Sequence, residues 1–197
     1  MKQQFVKYLQ RFAVIMLGTL VLGQAAQAEN NIGTGDVAGD AAALADSNVF
    51  VLNSGGALTL VKTAYLTSGG TVLPSGSTLP SGTQVDFLIF VNNMSSVSID
   101  DVSIQDVLDP LFVYQAGTIR VDNAVANCAA ATCDAGEIDA IYASAILPAN
   151  AESDGLDADT ASFAGVTVDA GNENVANGQL DVAANTVMAL VFTVEVQ

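Results

Sequence analysis

Carboxylates dominate the residues that could do chemistry. The stretch Glu152-Ser-Asp154-Gly-Leu-Asp157-Ala-Asp159 gathers them in one loop-like segment. Asp154, Asp157 and Asp159, spaced by two or three residues, offer the hard oxygen ligands that suit Ca2+. The stretch lacks the register and the distal Glu of a helix–loop–helix calcium loop, and a solvated acidic loop accounts for the same residues. Asp100, Asp101 and Asp106 make a second, looser group. Asp106 closes an apolar run, where a short acid can accept backbone hydrogen bonds in a turn. Lys62 stands in the middle of another apolar run. Facing inward, its ammonium needs a carboxylate, for which Asp106 is the natural partner; facing outward, it needs only water. Catalysis is poorly served. The chain has no His, so a Ser-His or Cys-His nucleophile cannot be built. Pairs among 21 acids arise by chance. The expectation is a protein that is not an enzyme and has no cofactor, with Ca2+ as the ligand its acids would suit.

Those residues sit in a chain of 197 with a net charge of −16. The N-terminus carries an export pattern. Lys2, Lys7 and Arg11 precede an apolar run from Phe12 to Leu22, and Ala26-Gln-Ala28 follows as a small-residue cleavage site. That order is the one of a secretory signal, and the run is shorter than the roughly 20 residues a membrane span needs. Residues 1–28 are therefore expected to be a signal peptide. Removing 28 residues from 197 leaves 169, enough for one domain with a sizeable core. It also removes three of the five basic residues. Lys62 and Arg120 then face all 21 acids, a net charge of −19. Such a surface repels phosphate backbones, so nucleic acid is excluded as a partner. Beyond residue 28 no apolar run is long enough to span a bilayer. The expected address is secreted, at the cell surface or outside the cell, with the periplasm as the alternative.

The acidity does not imply disorder, because half the residues are apolar and recur in short alternating runs. Gly, Ser, Thr, Asn and Asp fill the gaps between them, as in an all-β protein with many turns. Residues 29–56 are rich in Gly, Ala and Asp and read as a flexible lead-in. Its apolar patch, Val49 to Leu52, could pair with a sheet edge as a donor strand. Residues 57–197 read as the β domain. Its strongest strand signals are Gln84 to Asn92 and Thr186 to Val196, with weaker ones at 58–66, 97–107, 111–121 and 163–168. Glu137 to Leu147 fits a strand or a short helix equally well. About seven or more short strands separated by turns predict an antiparallel β-sandwich. In an exported chain Cys128 and Cys133 are expected to form a disulfide that fixes a local turn.

From Leu60 onward the chain resembles the conserved-repeat domain (domain-of-unknown-function family eleven) of bacterial and archaeal surface proteins. The residues that carry the likeness are Leu60-Val-Lys62, Pro80-Ser-Gly-Thr-Gln-Val-Asp-Phe-Leu-Ile-Phe-Val-Asn92, Val102-Ser-Ile-Gln-Asp106-Val-Leu-Asp-Pro110-Leu-Phe-Val-Tyr114 and the closing run Val187 to Val196. Asp109 is inserted before Pro110, and the stretch around 128–159 looks like an insertion. The resemblance implies an immunoglobulin-like sandwich used as a structural or adhesive module. Some surface immunoglobulin-like domains join a first-strand Lys to an Asn through an isopeptide bond, with an acid assisting. Here that set would be Lys62, Asn185 and Asp106. Two functions follow as expectations. One is an assembling subunit of a filament, pilus-like fibre or surface layer, whose partners are copies of itself or other surface proteins. The other is a monomeric secreted or envelope module for binding or adhesion, stabilised by Ca2+.

Overall fold

The computed structural model describes residues 32–37, 44–47, 51–54 and 56–197. The export signal at residues 1–28 lies outside them. The strands, in chain order, are β1 (Ile32–Val37), β2 (Leu44–Ser47), β3 (Val51–Ser54), β4 (Gly56–Leu66), β5 (Thr71–Val72), β6 (Gln84–Asn93), β7 (Val102–Val107), β8 (Phe112–Tyr114) and β9 (Arg120–Ala126). The helix α1 (Ala135–Ala145) follows, then β10 (Ala161–Ala164), β11 (Thr167–Ala170) and β12 (Thr186–Val196). Two antiparallel sheets result. One has the order β10-β11-β7-β1-β2; the other runs β3-β4-β6-β12-β8, with β5 on β4 and β9 on β12. They enclose one core, to which β7, β10 and β11 contribute Val102, Ile104, Ala161, Val168 and Ala170, and β6 and β12 contribute Ile89, Val91, Met188, Leu190 and Phe192. The protein is an all-β sandwich.

The long apolar runs of β6 and β12 have a physical reason. These strands pair along ten residues, from Thr186↔Asn93 to Glu195↔Gln84. Alternate side chains of a strand point to opposite faces. The inner set fills the sandwich, while Leu88, Phe90, Val187, Ala189 and Val191 make a second apolar layer on the outer face. The helix α1 covers that layer with Ile141, Tyr142 and Ala145, and the buried cysteines join it. Both faces are covered, so both alternating sets are apolar.

The ambiguous segment around 137–147 is thus helix. Its N-terminus is set by a capping box: Asp134 accepts from the Glu137 N–H at 2.9 Å, and Glu137 accepts from the Asp134 N–H at 2.8 Å. The segment read as a flexible lead-in, residues 29–56, also contributes strands to the sheets. The β1 strand pairs with β7, Gly33 opposite Asp106, and β3 pairs with β4, Leu52 opposite Leu58.

Candidate functional site

The position of Lys62 follows from strand parity. Leu60 and Ala64, two residues to either side on β4, pack against the inter-sheet core, so Lys62 faces the same way. Across the sandwich Asp106 shares the inward face of β7 with Val102 and Ile104. The two charges meet with Lys62 Nζ 2.6 Å from Asp106 Oδ2. The ammonium also stands 4.4 Å from the centre of the Phe87 ring, a cation–π contact. Phe87 is held edge-on by Phe112, with ring centres 5.4 Å apart at 88°. The Lys62 side chain is 33% exposed and that of Asp106 is 9%, so this is a pair at the mouth of the sandwich rather than in its centre.

The mouth opens into a cavity of about 550 Å³ walled by Leu73, Pro74, Leu79, Val85, Phe87 and Phe112 beside Lys62. One strand edge borders it. The outer side of β4 pairs with β3 up to Thr59 and with β5 from Tyr65. Among the described residues no strand covers Leu60 to Thr63 between them. A groove whose apolar walls are interleaved with Thr63, Ser75 and Ser77, with a strand edge and a mutually neutralised charge pair at its side, can hold an extended segment.

Asn185 is not brought to Lys62. Its neighbour Thr186 pairs with Asn93, whereas Lys62 pairs with Ile89. Four residues of β6 separate those positions, about 13 Å at strand spacing. The geometry therefore holds Lys62 and Asp106 as an ion pair and leaves the isopeptide set incomplete.

The carboxylates of the acidic loop are taken up by donors of the protein itself. Asp154 accepts from the Tyr114 hydroxyl and from the Gly117 N–H, the latter at 2.8 Å. Asp157 accepts from the Ser153 hydroxyl at 2.7 Å and the Asp159 N–H at 3.0 Å. These bonds hold its carboxyl below the usual range, the Ser153 hydroxyl acting most strongly. Asp159 Oδ2 accepts from the Ser153 N–H at 2.6 Å. Among the described residues, the one trio of Cys, Asp or Glu side chains with ligand atoms close together is Cys128, Cys133 and Glu137. That trio cannot hold a metal through sulfur. Cys128 and Cys133 form a disulfide, with Cα atoms 5.2 Å apart, and Glu137 is engaged in capping α1. Asp154, Asp157 and Asp159 do not converge as a set of three.

A polar network that sequence reasoning missed lies under α1. Asp86, 6% exposed, accepts from the Tyr142 hydroxyl at 2.7 Å and from Thr67 and Thr193 at 2.9 and 2.7 Å. Tyr142 stacks on Tyr65 with ring centres 3.9 Å apart and planes at 2°. Tyr65 in turn donates to Asp139 at 2.9 Å. Burial first, and the carboxylate partner second, push both phenols above the ordinary tyrosine value. The only sequence signal was Asp86 inside the strongest apolar run. Its neutral donors come from positions far along the chain.

No family model matches the chain, and no curated protein or solved structure matches it either.

Proposed function

We propose that the chain is an exported structural protein of the cell surface that assembles with copies of itself by adding strands across sheet edges. The observation that carries this reading is the placement of the N-terminal segment. Among the described residues it supplies the terminal strand of both sheets, β2 in one and β3 in the other, and no described strand pairs with the edge of β4 at Leu60 to Thr63. A segment that caps two edges in its own subunit has the hydrogen-bonding pattern to cap the same edges in a neighbour. The signal-like residues 1–28 support export, and the likeness to the conserved-repeat domain supports a structural or adhesive module. The absence of His from the sequence and the involvement of Asp86, Asp106 and Asp154 in structural bonds support a non-enzymatic role.

Negative-stain microscopy of the protein beginning at Glu29 is expected to show fibres or ordered layers. Deletion of residues 29–56 is expected to abolish them while the truncated domain remains folded. A monodisperse monomer at every concentration overturns assembly, and fibres that survive the deletion overturn strand addition. The cavity beside Lys62 favours a second reading, a monomeric module that binds an extended apolar segment of another surface protein.

A further inference from the structure

The N-terminal hairpin is joined to its sheet through one ladder. The β1 strand pairs with β7 from Gly33↔Asp106 to Val37↔Val102, and among the described strands β2 pairs with β1 alone. Residues directly opposite each other in an antiparallel pair share a face. Asp106 and Ile104 of β7 are on its buried face, and the residues opposite them are Gly35 for Ile104 and Gly33 for Asp106. These glycines bring main-chain hydrogen bonds to β7 and no side chain to the core. Backbone groups of this kind are offered alike by every copy of the chain.

A conflict of register lies at the edge of β4. The β3 strand runs antiparallel to β4, with Val51 opposite Thr59 and Leu52 opposite Leu58. Two more residues in that register would set positions 50 and 49 against Leu60 and Val61, where no described strand covers the edge. The edge is ready for them. Ala64 turns its carbonyl that way, accepting from the Leu73 N–H at 2.8 Å, so by alternation Leu60 and Lys62 turn their backbone groups the same way. Within one subunit the chain has another task there. Ser47 is paired with Ile32 in the opposite sheet, and packed sheets lie roughly 10 Å apart. From Ser47 to Val51 the chain can reach at most about 14 Å, and the change of sheet takes up most of that reach.

Moving the β1–β2 hairpin onto another copy removes the conflict. Its ladder re-forms on the neighbour's β7 with the same residues opposite, and Ser47 no longer has to reach the second sheet of its own subunit. The β3 strand is then free to lengthen along β4 and gain ladder bonds from Leu60 onward. The donor's own β7 edge is left open for the hairpin of a third copy, so the contact runs head to tail and does not close.

We propose that the β1–β2 hairpin is the exchanged element: in the assembled state it lies on β7 of the next copy, while β3 stays on its own β4 and lengthens along it. This rests on the assembly reading above and narrows it to one donor, one acceptor edge and one partner, a second copy of this chain.

The test uses the whole protein from Glu29 in two forms, Asp36→Cys and Ser103→Cys. The two positions are opposite each other in the β1–β7 register, and neither form can link them within one chain. The forms are mixed as monomers in roughly 0.5 M NaCl, which screens their like charge, left to assemble and oxidised in air. Exchange is expected to give disulfide-linked dimers on a non-reducing gel, with the peptide carrying position 36 joined to the peptide carrying position 103 by mass spectrometry. The double form, Asp36→Cys with Ser103→Cys, oxidised as a dilute monomer, is expected to melt no lower than the parent and to form no fibres. Phe50→Pro deletes the N–H that would meet the Leu60 carbonyl in the lengthened strand. It is expected to raise the concentration needed for assembly by roughly fivefold or more while the monomer melts as the parent does. Fibres without the 36–103 link, or fibres from the locked double form, overturn the exchange and leave strand addition at another edge standing. Assembly of Phe50→Pro at the parent's concentration overturns the lengthened strand. A parent that stays monomeric at every concentration overturns the assembly reading, and this inference with it.

Discussion

Two acidic corners of this molecule, one buried and one half-buried, answer their carboxylates differently. Under α1, Asp86 is surrounded by neutral hydroxyls, and both of its oxygens are met by donors from Tyr142, Thr67 and Thr193. At the entry to β10, Glu152 and Asp159 lie half-buried beside each other, and backbone donors answer one oxygen of each: Glu152 accepts from the Thr160 N–H at 3.1 Å and Asp159 from the Ser153 N–H at 2.6 Å. The first corner is complete within the chain. The second leans on backbone N–H groups and stays partly open to solvent. With two basic residues beyond position 28, and Lys62 already committed to Asp106, the protein has few cations of its own for its other buried acids. Hydroxyl and backbone N–H donors serve the others.

The largest effect is expected where the second corner meets the core. Gly171 has φ +67°, donates its N–H to the Thr160 carbonyl, and would place a Cβ 2.0 Å from the Val102 carbonyl. Gly171→Ala forces backbone apart and is expected to cost about 3 kcal/mol or more in urea unfolding. Gly117→Ala, equally left-handed at φ +74° with open space around it, is expected to cost about 1 kcal/mol. Equal losses would show that the close packing at Gly171 is not what holds that corner.

In the complete corner, Asp86→Ala orphans three hydroxyls at once and is expected to cost about 2–4 kcal/mol. A loss well below 1 kcal/mol would mean that water reaches those hydroxyls. The mouth pair is intermediate. Lys62→Ala leaves Asp106 buried, and because the lysine is a third exposed the expected cost is only about 1–2 kcal/mol. The paired change Lys62→Met with Asp106→Leu should recover most of that loss, since matched apolar residues replace a buried pair at little cost.

The smallest effect is one of pH. Burial raises the folded-state pKa of Tyr65, Tyr114 and Tyr142 above the ordinary 10.0. A group whose folded pKa is raised contributes its stability fully below the unfolded value and loses it as pH rises past that value. Denaturant midpoints should hold steady up to about pH 9 and fall above pH 10, by about 0.5 kcal/mol per tyrosine over the first unit once solvent screening is allowed for. Tyr142→Phe should flatten part of that fall. An unchanged slope in this variant would place the titration elsewhere.

The amino-acid sequence alone determined the fold class, because period-two apolar runs and turn residues are local properties that need no partner to be read. It also held the sign of α1 in Asp134-Ala-Gly-Glu137, although an Ala-rich stretch with weak periodicity hid it. The two-sided burial of β6 and β12 was visible only as runs too apolar for simple alternation, without the helix that explains them. The pairing of Lys62 with Asp106 lay in reach of charge scarcity: one lysine in an apolar run needs an acid, and few acids end apolar strands. Only the tertiary structure decided which carboxylates are answered. Asp86 finds donors at positions 67, 142 and 193, and the carboxylates of Asp154, Asp157 and Asp159 turn to Tyr114, Gly117 and Ser153 instead of converging on one another. Hydrogen-bond satisfaction depends on angles and on distances of a few tenths of an ångström between segments far apart in the chain. No spacing along the sequence encodes that.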